Sequence, residues 1–150
     1  MNKLFYCIVL FFGIHFSISA QSKVEFSVEP PMELNSKINS IECSVYYEAS
    51  VKSTIYIEFI KNNTIIGTGV YTIESADKST KKINIPILKK GLFKSGNNYS
   101  YQLHMYEGGK NDWSKKACKS KVITNVRVKE NSKPDYKTCL LYTSPSPRDA

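Results

Sequence analysis

Between Lys23 and Val128 apolar residues recur at every second position rather than every third or fourth. Ile41, Cys43, Val45 and Tyr47 alternate with Glu42, Ser44, Tyr46 and Glu48, and Ile55, Ile57 and Phe59 alternate with Tyr56, Glu58 and Ile60. Ile83, Ile85 and Ile87 repeat the pattern, as do Tyr99, Tyr101, Leu103 and Met105. Side chains on a strand point to opposite faces in turn, so this period marks half-buried strands. With Val24 to Val28 before them, Thr64 to Ile73 between and Lys119 to Val128 at the end, the pattern predicts seven strands. Pro30-Pro31 ends the first, Asn62-Asn63 turns the third into the fourth, and Gly108-Gly109 opens a long loop before the last. Nowhere does an apolar period of 3.6 persist, and Ile, Val, Thr and Tyr prevail over Ala and Leu. The expected fold is all-β: one seven-stranded sandwich over residues 22–128, its two inner sheet faces sharing a core.

Both ends break this pattern. Met1 to Ala20 carries one Lys, an apolar run from Leu4 to Phe16, and small residues before Gln21. That is the layout of a secretory signal peptide cut after Ala20, and the run is too short for a membrane anchor. The mature chain is therefore expected outside the cytoplasm, with no membrane insertion. Residues 129–138, KENSKPDYKT, read as a linker. Cys139 to Asp149, CLLYTSPSPRD, resembles a transposon-based sequencing adapter read through as protein. Residues 139–150 are accordingly expected to be an unstructured, artefactual tail, and the chain a fragment whose native C-terminal part is missing.

Composition then narrows the chemistry. The chain has 4 Cys and 2 His among 150 residues. Cys7 and His15 fall in the leader and Cys139 in the tail, which leaves Cys43, Cys118 and His104 in the sandwich. Two Cys in an exported domain are a candidate disulfide, the alternative being two buried thiols. One His and two Cys do not complete a structural zinc site, and neither a metal nor a cofactor is expected. The formal net charge of +8 comes from Lys scattered along the chain with hardly any Arg, and without a nucleic-acid-reading motif. Nucleic acid is not an expected partner. Lys89, Lys90, Lys94, Lys115 and Lys116 instead offer long-range attraction to an anionic polysaccharide, or simply keep the surface soluble.

LFKSGNNYSYQL, with Leu92, Gly96 and Tyr99 ahead of the penultimate strand, resembles the tyrosine corner of immunoglobulin-like and fibronectin type III domains. Ser95 stands where the fibronectin pattern carries Pro, and Cys118 lies at the last strand instead of the penultimate one. The wider run IECSVYYEAS, TIYIEFIKNN and KINIPILKKGLFKSGNNYSYQLHMYEGGKNDWSKKA resembles the immunoglobulin-like modules that precede catalytic domains in secreted bacterial polysaccharide-degrading enzymes. The resemblance implies a non-catalytic spacer or carbohydrate-binding module beside a downstream catalytic domain. Alternatives are an adhesin or cell-surface module and a small stand-alone hydrolase.

Sugar binding needs exposed aromatic faces flanked by hydrogen-bonding groups. Tyr106 and Trp113 bracket a loop that also offers Asn111 and Asp112, and these four are the candidate ligand contacts. Tyr46 and Tyr56 are expected to point outward. A catalytic triad would have to use His104, which shares its strand face with Ser100, Gln102 and Tyr106 and is expected to be a wet surface residue. Glu42, Glu48 and Glu58 are expected on outward faces as solubilising charges, with no catalytic carboxylate pair among them.

Overall fold

The computed structural model describes residues 21–130, so the leader, the tail and the linker beyond its first two residues lie outside the described residues. The described chain holds eight strands: β1 (Lys23–Phe26), β2 (Glu33–Asn35), β3 (Ser40–Ala49), β4 (Ser53–Lys61), β5 (Thr64–Ile73), β6 (Asp77–Pro86), β7 (Gly96–Glu107) and β8 (Lys121–Lys129). They form two sheets in the orders β1-β3-β6 and β2-β8-β7-β4-β5. This is an immunoglobulin-like sandwich, with one strand more than expected. The extra strand, β2, arises because Pro30 and Pro31 interrupt the first strand, and the chain resumes as Glu33–Asn35 in the other sheet, parallel to β8. Lys129, expected to begin the linker, ends β8 opposite Asn35.

Alternation sets the core as the period requires. Ile41, Cys43, Val45 and Tyr47 of β3 face Ile55, Ile57 and Phe59 of β4 and Tyr99, Tyr101, Leu103 and Met105 of β7 across the interior, all buried. Phe59 stacks on Tyr99 at 5.2 Å and meets Phe93 edge-on at 6.1 Å. An aromatic cluster of this kind buries large areas and gains further from its edge-to-face geometry. The flank between β5 and β6, the edge strands of opposite sheets, is closed by direct contact. Gly67 bridges Ile87, and the amide of Leu88 donates to the Ile66 carbonyl at 2.9 Å. Only the missing side chain at Gly67 lets the Pro86 carbonyl come so close.

Tyr99 secures the entry to β7. Its hydroxyl accepts from the Lys94 amide at 2.9 Å and donates to the Lys94 carbonyl at 2.6 Å, with the Leu92 carbonyl at 3.2 Å. The phenol thereby ties the crossover that contains the short 3-10 turn Lys90–Leu92 to the strand it feeds. Gly96, at φ +155°, pairs with Val128 in a backbone conformation that side-chain-bearing residues rarely adopt.

The Cys43–Cys118 bridge expected from the cysteine count is not formed, and both are free thiols. Cys43 is opposite Ile83 in the core, whereas Cys118 lies beside Val24, and Val24 pairs with Tyr47. Four residues along β3 separate those levels, about 13 Å at strand rise. Disulfides need Cα atoms within roughly 7 Å.

Candidate functional site

The outer face of the five-stranded sheet carries the chemistry. On β4 it presents Thr54, Tyr56, Glu58 and Ile60, and opposite them on β7 Tyr106, His104, Gln102 and Ser100. The loop after β7 does not project into solvent but folds back over the end of this face. Gly108 donates its amide to the Lys52 carbonyl at 2.8 Å, and Thr54 Oγ1 donates to the Gly108 carbonyl at 3.0 Å. On the return, the Ala117 amide donates to the Met105 carbonyl at 2.9 Å and Lys116 bridges Tyr106.

This path lays Trp113 on Tyr56. Their ring centroids are 4.0 Å apart with planes inclined by 31°, and Tyr106 meets the indole edge-on at 5.0 Å. Tyr56 points outward as its phase requires, yet it is only 2% exposed because the indole covers it. Its hydroxyl accepts the Asn111 amide at 2.7 Å, which fixes the loop at a residue with φ +70°. Trp113 itself stays 48% exposed, so the indole face turned away from Tyr56 is open. The result is a half-exposed indole whose orientation is fixed by the fold, and such preorganisation would lower the ordering cost of any ligand packed on it.

Polar groups border it. Asp112 Oδ1 accepts from the Ser114 amide at 3.1 Å and from Ser114 Oγ at 2.6 Å. The Ser114 hydroxyl and amide hold the Asp112 carboxyl below its usual range, so it is ionised at neutral pH. Lys116 lies 5.9 Å from the Tyr106 ring centre, and Lys115 pairs with Glu107 at 2.7 Å. Of the expected contacts, the structure brings Trp113, Tyr106, Asn111 and Asp112 together at one end of the sheet. It does not gather the lysines: Lys94 and Lys116 flank opposite ends of β7, about 33 Å apart at strand rise. Tyr46 lies on the other sheet, donating to Glu48 Oε1 at 2.5 Å.

His104 departs from expectation. Its side chain is 14% exposed, with Nδ1 2.6 Å from Ser120 Oγ and Nε2 3.6 Å from Glu58 Oε2, whose own side chain is 18% exposed. Burial beneath the returning loop holds its pKa below the usual value, outweighing the attraction of Glu58, and Lys116 adds to the lowering. The neutral ring with Nε2–H toward Glu58 and Nδ1 accepting from Ser120 fits these neighbours. Phase alone placed His104 on the correct face but could not show that a loop would cover it. The contacts tie segment 117–120 to β7 and so hold up the loop that carries Trp113.

A family model described as the porphyranase-associated domain matches residues 18–119, which include β1 to β7 and the Trp113 loop. Among solved structures, the chain is similar to the crystal structure of the apo form of the Calx CBD1 domain. The two are 7% identical, with 74% of this chain and 98% of that one covered and a TM-score of 0.40. No curated protein matches the sequence.

Proposed function

The chain belongs to the porphyranase-associated domain family, and on that premise we propose that it is a glycan-holding accessory module, with Trp113 as its sugar platform. Its family's association with polysaccharide-degrading enzymes supports reading it as a non-catalytic partner of an extracellular enzyme. The observation that carries the binding reading is the clamped, half-exposed Trp113 on Tyr56. Carbohydrates present apolar C–H faces that pack on such rings while their hydroxyls turn to polar neighbours, here Asp112 and Asn111. The reading includes export through the Met1–Ala20 leader and a tether through residues 130–138 to a catalytic domain.

Trp113 is the chain's one Trp, so its fluorescence reports directly on the platform. Titration with porphyran should shift or quench its emission saturably, and Trp113→Ala should lose retention in porphyran-containing native gels. Unchanged emission and unchanged retention with porphyran and with neutral polysaccharides would reduce the module to a spacer.

A further inference from the structure

At the other end of the same sheet face lies a groove of about 260 Å³ that the platform does not use. Amides crowd it: Asn62, Asn63, Asn97, Asn98, Asn125 and Gln102, with Ser100 and Thr124 beside them. Ile60 lines the groove from the outer face of β4, and no Lys, Arg, Asp or Glu contributes to the wall.

Three irregularities of the sheet meet there. The β4–β5 turn places Asn62 and Asn63 at φ +48° and +62°. Between β7 and β8 the register moves from Gly96↔Val128 to Tyr99↔Val126 and then to Tyr101↔Ile123. These two bulges turn out Asn97-Asn98 on one strand and Thr124-Asn125 on the other, with Asn125 at φ +64°. Left-handed backbone accounts for Asn at positions 62, 63 and 125, since Asn tolerates it well. It does not account for Asn97, Asn98 or Gln102, whose φ values are not positive. Two amides elsewhere are used internally: Asn35 Oδ1 accepts from the Lys37 amide and Asn39 Oδ1 from Lys90. The groove amides have no such side-chain partner among the described residues. Each carboxamide both donates and accepts, which matches a ring of vicinal hydroxyls and disfavours a charged group, for which the wall has no counter-ion.

We propose that this asparagine-lined groove is a second sugar subsite, taking the hydroxyls of an uncharged sugar residue in a glycan whose other end rests on Trp113. It rests on the platform reading for the identity of the ligand as a glycan. Six residues of β7 separate Ser100 from Tyr106, about 20 Å at strand rise, so only a chain of several sugars reaches both ends.

The test uses the full chain and porphyran oligosaccharides from disaccharide to octasaccharide, with binding followed by calorimetry and by the side-chain amide signals in nitrogen-15 spectra. Octasaccharide should shift the side-chain amides of Asn97, Asn98 and Gln102, whereas disaccharide should shift the Trp113 indole signal at lower concentration. The variant Asn97→Ala/Asn98→Ala/Gln102→Ala should bind octasaccharide about tenfold more weakly and disaccharide unchanged. Asn97 and Asn98 are exposed and Gln102 is half-buried, and unaltered thermal unfolding will show that the variant is folded. Equal octasaccharide affinity in the variant and the parent overturns the groove while leaving the platform intact. Groove signals that still move in Trp113→Ala, with affinity unchanged, overturn the platform but keep the groove. Oligosaccharides that move neither set of signals overturn both.

Discussion

Replacing Tyr99 by Phe removes one oxygen and nothing else. The ring keeps its 5.2 Å stack on Phe59 and its edge contact with Phe93, so no cavity opens. What disappears is a hydroxyl that accepts from the Lys94 amide, donates to the Lys94 carbonyl and receives Lys61 Nζ at 3.1 Å. An internal hydrogen bond contributes about 1 kcal/mol net, and a stranded buried partner costs about 1 to 3 kcal/mol. Lys94 is exposed, so water can partly replace the phenol. The expected loss is therefore about 2 kcal/mol. In urea unfolding followed by Trp113 fluorescence, the midpoint should fall by about 1 M with an unchanged slope. Tyr101→Phe is the internal control, since its hydroxyl makes a single bond, to the Pro31 carbonyl at 2.9 Å, and should cost about 1 kcal/mol. A Tyr99→Phe loss below about 0.5 kcal/mol, or one no larger than that of Tyr101→Phe, would show that the crossover does not depend on the phenol.

Gly67→Ala should destabilise by about 3 kcal/mol in the same assay, because its Cβ would press on the Pro86 carbonyl oxygen and on Ile85 Cγ2, and backbone cannot step aside. Loss of stability on acidification should include a His104 component. Its pKa is lowered in the fold by burial, so the unfolded chain binds the proton more readily. That contribution is whole above the unfolded value of about 6.5 and drains away as pH falls below it, and His104→Gln should flatten the fall in urea midpoint between about pH 7 and pH 5. Peptide mass mapping after alkylation should find Cys43 unlabelled until the chain unfolds, since burial pushes its thiol up to about 12 and leaves almost no thiolate at neutral pH. A Cys43–Cys118 cross-linked peptide would contradict the placement of both thiols.

Period-two alternation carried most of the fold because each long strand buries one face, and a one-residue slip would have turned Ile55, Ile57 and Phe59 to solvent. It could not carry β2, whose three residues are too few to show a period and whose partner, β8, is almost the whole chain away. The cysteine count suggested a bridge, but pairing depends on where Cys118 falls along β1, and a loop decides that. Trp113 and Tyr106 were readable as an aromatic pair around a loop. Tyr56 completes the platform, and its part depends on the loop turning back across the sheet. The hydrogen bonds that turn it, Gly108 to Lys52 and Thr54 to Gly108, join residues far apart in sequence.

The distribution of charge over the two outer faces gives a separate reason to place ligand contact on the five-stranded sheet. On the three-stranded sheet, outward positions are Glu42, Ser44, Tyr46 and Glu48 on β3, paired with Asn84, Lys82, Thr80 and Lys78 on β6. Lys82 reaches Glu42 at 2.8 Å and Lys23 reaches Glu25 at 2.9 Å, so the charges answer one another in solvent. Such exposed pairs contribute little stability, but they keep a face hydrated and discourage a third sheet from pairing with it. On β4 and β7 the opposite face spends its outward positions on Thr54, Tyr56, Ile60, Tyr106, His104, Gln102 and Ser100, with Glu58 the one outward carboxylate between them, while Glu33, Arg127 and Lys129 lie on β2 and β8 at the edge of the sheet. A face built only for solubility would have no use for that substitution of rings and amides for charges. The proposed polysaccharide would, because its sugars offer hydroxyls and C–H faces in alternation, which amides at one end of this sheet and an indole at the other would match.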